Sequence, residues 1–317
     1  MSLDVAVSER PAKSSNPQRI FGARPTELGV SVIVPTRNEA GNIRELLQQL
    51  SAALTPGPAA EVVFIDDSTD DTAEVIAAAA GDYPFSVVLV ERSRPVGGLG
   101  GAVVEGLRMA RAPWAVVMDA DLQHPPSLVP RLPAVGGSAD VDLVVATRYA
   151  GGGSRHGLGS AYRRVVSAAS TALSIAALGE QAARLSDPMS GFFAVRTAAL
   201  RLDLARPIGY KVLLELVLRS QLTRIAQVPY TFRTRHAGRS KSTPREGIRF
   251  LRHLVALRTA RRRAPPPGGA AHGPAARPRR VPLGDGPGRP GSAASGTVRP
   301  PGSGRAAAGP EDPGSHQ

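Results

Sequence analysis

The chain has 317 residues, a net charge of +13, 42% hydrophobic residues, 4% aromatics and no cysteine. That length allows one or two domains with a sizeable core. The missing cysteines exclude disulfides, zinc–thiolate sites and cysteine nucleophiles. The charge is uneven: residues 1–150 carry 12 Lys and Arg against 18 Asp and Glu, and residues 151–317 carry 27 against 8. No aromatics interleave with the basic residues, so a nucleic-acid partner is not expected.

Residues 1–27 are polar, lack the apolar core of a secretory signal, and are expected to be disordered. Val30 to Val34 is a β-branched run stopped by Pro35, which predicts a buried strand. Asn38 is placed to cap a helix whose apolar positions Ile43, Leu46, Leu47 and Leu50 recur at helical spacing. Glu61 to Ile65 predicts a second strand, ending in Asp66-Asp67-Ser68, after which Thr69 or Asp70 caps a helix through Ala80. Ser86 to Val90 predicts a third strand. The run Gly97-Gly98-Leu99-Gly100-Gly101 then enters a helix through Ala110. It fits neither the dinucleotide fingerprint nor a P-loop and reads as a tight turn. Trp114 to Met118 and Asp142 to Ala146 predict a fourth and a fifth strand. This alternation implies a parallel sheet with right-handed crossovers. Every strand then delivers its following loop to one edge.

On that edge lie Asp119-Ala120-Asp121, followed by Leu122-Gln123-His124. Carboxylates at i and i+2 at the end of a buried strand are costly unless a cation neutralises them. Hard oxygen ligands suit Mg²⁺ or Mn²⁺ carrying a phosphorylated substrate. Arg37, Glu39, Asp66, Asp67 and Arg148 follow other strands to the same edge. His124 reads as a loop residue.

Further along, Ala161 to Leu178 predicts a helix, and Asp187-Pro-Met-Ser-Gly-Phe192 a turn into a strand from Phe193 to Val195. Residues 209–220 carry a helical pattern on which Lys211 and Glu215 form a surface i,i+4 pair. Ile225 to Arg233 predicts a strand. Arg235-His-Ala-Gly-Arg239-Ser-Lys241 packs three cations around a glycine, a composition suited to phosphate. Residues 244–263 form a basic amphipathic helix that either packs on the core or lies in a membrane interface with its arginines at anionic headgroups. No apolar run reaches ~18 residues, so no transmembrane helix is expected. The Pro/Gly/Ala/Arg-rich residues 264–317 are expected to be disordered.

Taken in order, these motifs resemble the family 2 glycosyltransferases, and within them the polyprenol-phosphate (dolichol-phosphate) mannosyltransferases. The resemblance runs from about Val30 to Thr243. It is carried by Val-Pro-Thr-Arg-Asn-Glu (34–39), Asp-Asp-Ser-Thr-Asp (66–70), Met-Asp-Ala-Asp-Leu-Gln-His-Pro-Pro (118–126), Thr-Arg-Tyr (147–149), Arg163 to Ser167, Asp-Pro-Met-Ser-Gly-Phe (187–192) and Arg-x-x-Gly-x-Ser-Lys (235–241). It implies an α/β GT-A nucleotide-diphospho-sugar transferase fold over residues 28–243, with a mostly parallel twisted sheet flanked by helices. It implies that Pro35, Arg37, Glu39, Ile65 and Asp67 hold the guanosine of GDP-mannose. Asp119, Ala120, Asp121 and Gln123 would hold the divalent metal and diphosphate. Arg148, Arg163 and Ser167 would meet the phosphate of a polyprenyl phosphate and the sugar, and Arg235 and Lys241 would close over the donor. The implied reaction is a single inverting displacement by the acceptor phosphate, which is anionic already and needs no general base. It places the enzyme peripherally at the cytoplasmic face of an anionic membrane, alone or with a membrane-anchoring partner protein. The rival readings are a UDP-glucose donor, a hydroxyl acceptor served by Asp187 as base, and a basic membrane- or nucleic-acid-binding module. The segment after Arg94 lacks the basic residue many family members carry there.

Overall fold

The computed structural model describes residues 16–148, 184–208, 211–232, 252, 254–259 and 279–280. The chain divides into two units, Met1–Leu283 and Gly284–Gln317, and every described residue belongs to the first. The predicted helix from Ala161 to Leu178 lies outside the described residues, as do Arg163, Ser167, Arg235 and Lys241.

The strands are β1 (Gln18–Phe21), β2 (Val30–Thr36), β3 (Ala60–Asp66), β4 (Ser86–Glu91), β5 (Trp114–Val117), β6 (Leu143–Thr147), β7 (Phe193–Arg196), β8 (Ile225–Pro229) and β9 (Arg279–Arg280). They form one sheet in the order β1-β4-β3-β2-β5-β7-β6-β8-β9. β4, β3, β2 and β5 run parallel, as do β6 and β8. β7 is antiparallel to both β5 and β6, and β1 is antiparallel to β4. The mostly parallel sheet thus stands, with two reversed strands that period-2 patterning has no means of orienting. The chain turns one way from β2 through β3 to β4 and the other way to β5. The gap between the carboxyl ends of β2 and β5 is therefore a topological switch point, where open α/β sheets bind ligands.

Both faces of the inner strands are covered, which is why β2 to β8 are mostly apolar and buried. Helices α1 (Ala40–Leu54) and α2 (Thr72–Ala79) cover the first face, where Val32, Val34, Val62 and Phe64 meet Ile43, Leu46, Leu50 and Ile76. α4 (Arg131–Ser138) adds Leu132 to the same layer. α3 (Gly98–Met109) and α5 (Val212–Arg219) cover the other face, where Ile33, Val63 and Ile65 meet Val103, Leu107, Leu213 and Val217. α3 lies close on the sheet: a Cβ at Gly106 would fall 2.4 Å from Ile33 Cγ2.

Several elements differ from the sequence reading. Asn38 does not cap α1. It adopts φ 54° and its Oδ1 accepts Thr69 N–H at 2.8 Å, which joins the loops after β2 and β3. The residue at the helix start is Glu39, whose Oε2 takes the Asn42 amide at 2.7 Å. The residue at the start of α2 is Asp71 rather than Thr69 or Asp70, and the helix ends at Ala79; Asp70 accepts from Thr72 N–H and hydroxyl at 3.2 and 2.5 Å. Within the segments expected to be disordered, Gln18–Phe21 pairs with β4 and Arg279–Arg280 with β8. Both are short, and neither carries a continuous apolar run in the sequence. Residues 254–259 are helical, and Leu254 and Leu257 bury against Met189, Leu214 and Leu218. Among the described residues no helix is long and apolar enough to cross a membrane.

Candidate active site

Three loops meet at the switch point. The loop after β2 carries Arg37, which is exposed, and Glu39, which is partly buried and donates its backbone N–H to Thr72 Oγ1 at 2.9 Å. The loop after β3 carries Asp66 and Asp67. Asp66 Oδ1 accepts the Thr36 and Ser68 hydroxyls at 2.6 and 2.5 Å, and burial raises its carboxyl above the usual range. Asp67 is gripped on both oxygens by Arg92. Pro35 and Ile65 stand opposite each other in the β2–β3 register. Ile65 shows no surface and packs in the layer beneath α3, so its side chain faces away from the edge.

The loop after β5 carries the paired carboxylates. Asp119 is 40% exposed and Asp121 is buried, with its Oδ1 accepting Gln123 N–H at 3.1 Å. Ala120 is buried between them. Leu122 follows at φ 61°, a left-handed conformation that costs a bulky residue about 1–3 kcal/mol and occurs where the surroundings impose it. What imposes it is His124. Its Nδ1 accepts the Asp119 backbone N–H at 3.1 Å. Its ring stacks on Phe192 at 5.0 Å and meets the edges of Tyr230 and Phe232 at 6.0 and 5.8 Å. Burial pulls the imidazole pKa down to about 4, so the ring is neutral and its Nδ1 is an acceptor. Burial likewise pushes the Tyr230 phenol well up. His124 is thus a buried bracket rather than a loop residue.

The turn before β7 enters from below. Gly191 sits under Asp119, where an added Cβ would stand 3.4 Å from Oδ2. Asp187 is fully buried and takes both prongs of Arg148, Nε at 2.7 Å and a terminal nitrogen at 2.9 Å. Arg148 also lies over the Phe232 ring, 5.2 Å from its centre. Ser190 Oγ donates to Ala146 O at 2.8 Å, so its hydroxyl ties the turn to β6. Lys211 precedes α5. Burial lowers its pKa to about 8, Arg148 lowers it further, and Asp187 and Asp119 oppose the fall. Lys211 therefore shares the electrostatics of the carboxylate edge. The pairing expected with Glu215 is replaced: Glu215 is fully buried and accepts from Arg206 N–H at 2.6 Å and from its i,i+4 neighbour Arg219 at 3.2 Å.

One carboxylate pair thus shares the sheet edge with an arginine–aspartate fork and a lysine whose pKa burial has lowered. Among the described residues no group of three or more His, Asp and Glu side chains is gathered to hold a metal. Two carboxylates can hold one only if other oxygens complete its shell, as with Mg²⁺ that shares substrate phosphates.

Residues 31–202 match the model of glycosyl transferase family 2. A dolichol-phosphate mannosyltransferase of Saccharomyces cerevisiae is 37% identical, over 72% of this chain and 86% of that protein. The chain belongs to glycosyl transferase family 2. Another dolichol-phosphate mannosyltransferase, from Pyrococcus furiosus, is 35% identical over 72% of this transferase, which spans 63% of the longer relative. Among solved structures, glucosyl-3-phosphoglycerate synthase of Mycobacterium tuberculosis in complex with Mn²⁺, UDP and glucosyl-3-phosphoglycerate superposes with a TM-score of 0.53. It is 25% identical, over 76% of this chain and 82% of that one. The fold of the transferase is accordingly the GT-A type.

The structure brings Arg37, Glu39, Asp67, Asp119, Ala120, Asp121, Gln123 and Arg148 to loops of one sheet edge, and leaves Pro35 buried among the last paired residues of β2. Arg92, His124 and Lys211 join them without having been selected from sequence. Lys211 did leave a signal: lysine occurs only at positions 13, 211 and 241 in a chain that otherwise uses arginine.

Proposed function

We propose that this transferase moves mannose from GDP-mannose to a polyprenyl phosphate, with inversion, at the cytoplasmic face of a membrane. The observation that carries the acceptor class is the state of Asp187. A hydroxyl acceptor needs a base, and the carboxylate nearest that role is buried with both oxygens bound by Arg148. A phosphate acceptor is anionic at neutral pH and needs none. It also suits a cationic surrounding, which Arg148 and Lys211 supply. The two dolichol-phosphate mannosyltransferase relatives support the sugar and the acceptor together.

Asp119 and Asp121, with Gln123 beside them, are hard oxygen donors that fit Mg²⁺ or Mn²⁺, and the Mycobacterium relative is crystallised with Mn²⁺. Bound there, the ion would neutralise charge on the donor diphosphate. The chain's own groups do the rest. Pro35, Arg37, Glu39 and Asp67 would hold the guanosine. Arg148 and Lys211, with Arg163 and Ser167, would bind and orient the acceptor phosphate behind the anomeric carbon. Attack forms the new phosphate–sugar bond as the bond to the diphosphate breaks. Arg235 and Lys241 would cover the donor and exclude water. The lipid tail of the acceptor demands a membrane surface, reached through the basic half of the chain or an anchoring partner protein.

The test is transfer of radiolabelled sugar to a short polyprenyl phosphate with Mn²⁺ or Mg²⁺, from GDP-mannose and, separately, from UDP-glucose. Organic-phase label from GDP-mannose alone, lost on chelation, is expected. Label from UDP-glucose alone would replace the donor. Transfer to a hydroxyl acceptor instead would refute the acceptor.

A further inference from the structure

We propose that Arg92 is a positioning residue for Asp67, and that the glycine-rich turn beside it exists to cage its guanidinium. This rests on the reading that Asp67 meets the nucleoside of the donor. Arg92 follows β4, and its backbone N–H donates to Asp66 O at 2.9 Å, which sets its side chain beside Asp67. Nε donates to Asp67 Oδ1 at 2.7 Å and a terminal nitrogen donates to Oδ2. The remaining donors go to Val96 O at 3.2 Å and Gly98 O at 2.9 Å, with Glu105 Oε2 at 3.9 Å. The Arg92 and Asp67 side chains are 3% and 6% exposed, so the fork lies inside the edge and fixes how the carboxylate is turned there.

The two carbonyls come from a turn that favours glycine. Gly97 and Gly98 have φ of 77° and 59°. A Cβ at Gly101 would fall 1.9 Å from Val96 O and 3.1 Å from the arginine terminal nitrogen. The glycines therefore close the backbone around the guanidinium instead of opening a phosphate cradle. A buried ion pair adds little net stability, because desolvation offsets its Coulomb attraction. At a ligand-binding edge, a guanidinium held by four hydrogen bonds instead fixes the plane of the carboxylate.

The experiment is calorimetric titration of the full chain with GDP and with UDP, each with Mn²⁺, carrying forward whichever binds the unaltered protein more tightly. Inorganic pyrophosphate with Mn²⁺ is titrated separately as a probe of the diphosphate side. Arg92→Met and Gly101→Ala are each expected to weaken nucleotide binding tenfold or more. Pyrophosphate binding should stay within twofold, and Arg92→Met added to Asp67→Asn should cost little beyond the single change. Arg92→Lys keeps the charge but loses the fork, and serves if Arg92→Met does not fold; it too should weaken nucleotide binding. Normal nucleotide binding by a folded Arg92 variant, with Asp67→Asn impaired, would overturn the positioning role and leave the nucleoside reading intact. Normal binding by Asp67→Asn would remove the reading beneath it. Equal loss of pyrophosphate binding would mark a merely structural role.

Discussion

Asp121 and Lys211 show how one site sets two charges against burial. Asp121 is buried beside the half-exposed Asp119, an arrangement that is unfavourable until a cation arrives. Replacing it with Asn keeps the shape and removes the charge. Transfer should fall about 100-fold or more, the scale of losing one group that stabilises transition-state charge, with an unchanged melting temperature. Steady-state kinetics with Mn²⁺ checks this, and activity within twofold would displace Asp121 from the metal. Lys211 has the opposite problem, since burial favours its neutral form and draws its pKa to about 8. Its protonated fraction drops as pH rises through that value. If the ammonium binds the phosphates, kcat/KM should therefore fall on the alkaline side near pH 8. Lys211→Arg should move that limb upward, because guanidinium stays charged. A pH–rate profile of the two proteins decides it, and identical alkaline limbs would exclude Lys211.

At the scale of elements, the turn from Asp119 to His124 is held by the aromatic group Phe192, Tyr230 and Phe232, drawn from the β7 and β8 ends of the sheet. Because His124 is neutral in the fold, with a pKa near 4 against 6.5 in the unfolded chain, the unfolded state binds the extra proton between those values. Stability is therefore full above pH 6.5 and falls as pH drops from 6.5 to about 4, by on the order of 3 kcal/mol. Urea unfolding across that window measures it, and His124→Gln should flatten this component. Little of the bracket was legible in the sequence, for its partners lie up to about a hundred positions away and aromatic spacing carries no long-range register. The same limit hid the Arg92–Asp67 fork, 25 residues apart. By contrast, β2 to β6 were readable as short continuous apolar runs, and α1 from apolar positions at a period of 3.6. The carboxylate pair was readable because its chemistry lies within three consecutive residues. β1 and β9 are short edge strands without a continuous apolar run, and the reversal of β7 is decided by topology, so neither left a local trace.

At the scale of the whole molecule, the chain separates its charges by sequence. The first half, acidic by 18 against 12, supplies Asp119 and Asp121, and the second, basic by 27 against 8, would supply Arg148's partners in the proposed anion binding. If the acceptor is a lipid phosphate, the basic half meets not one anion but a surface of them. Each Lys or Arg close to an anionic leaflet contributes about 1 kcal/mol, and the attraction decays within a Debye length of about 8 Å at physiological salt. Such binding must then depend on lipid charge and on ionic strength together. The full chain should co-sediment with vesicles containing about one-third phosphatidylserine, leave them in 0.5 M NaCl, and ignore pure phosphatidylcholine vesicles. Helical residues 254–259 sharpen the argument, because Leu254 and Leu257 are buried against Met189 and Leu214 and are not available to enter the bilayer. Attachment through this segment would therefore rest on charge and not on those two leucines. Salt-resistant binding to neutral vesicles would contradict that and require either an apolar insertion or a separate anchoring protein.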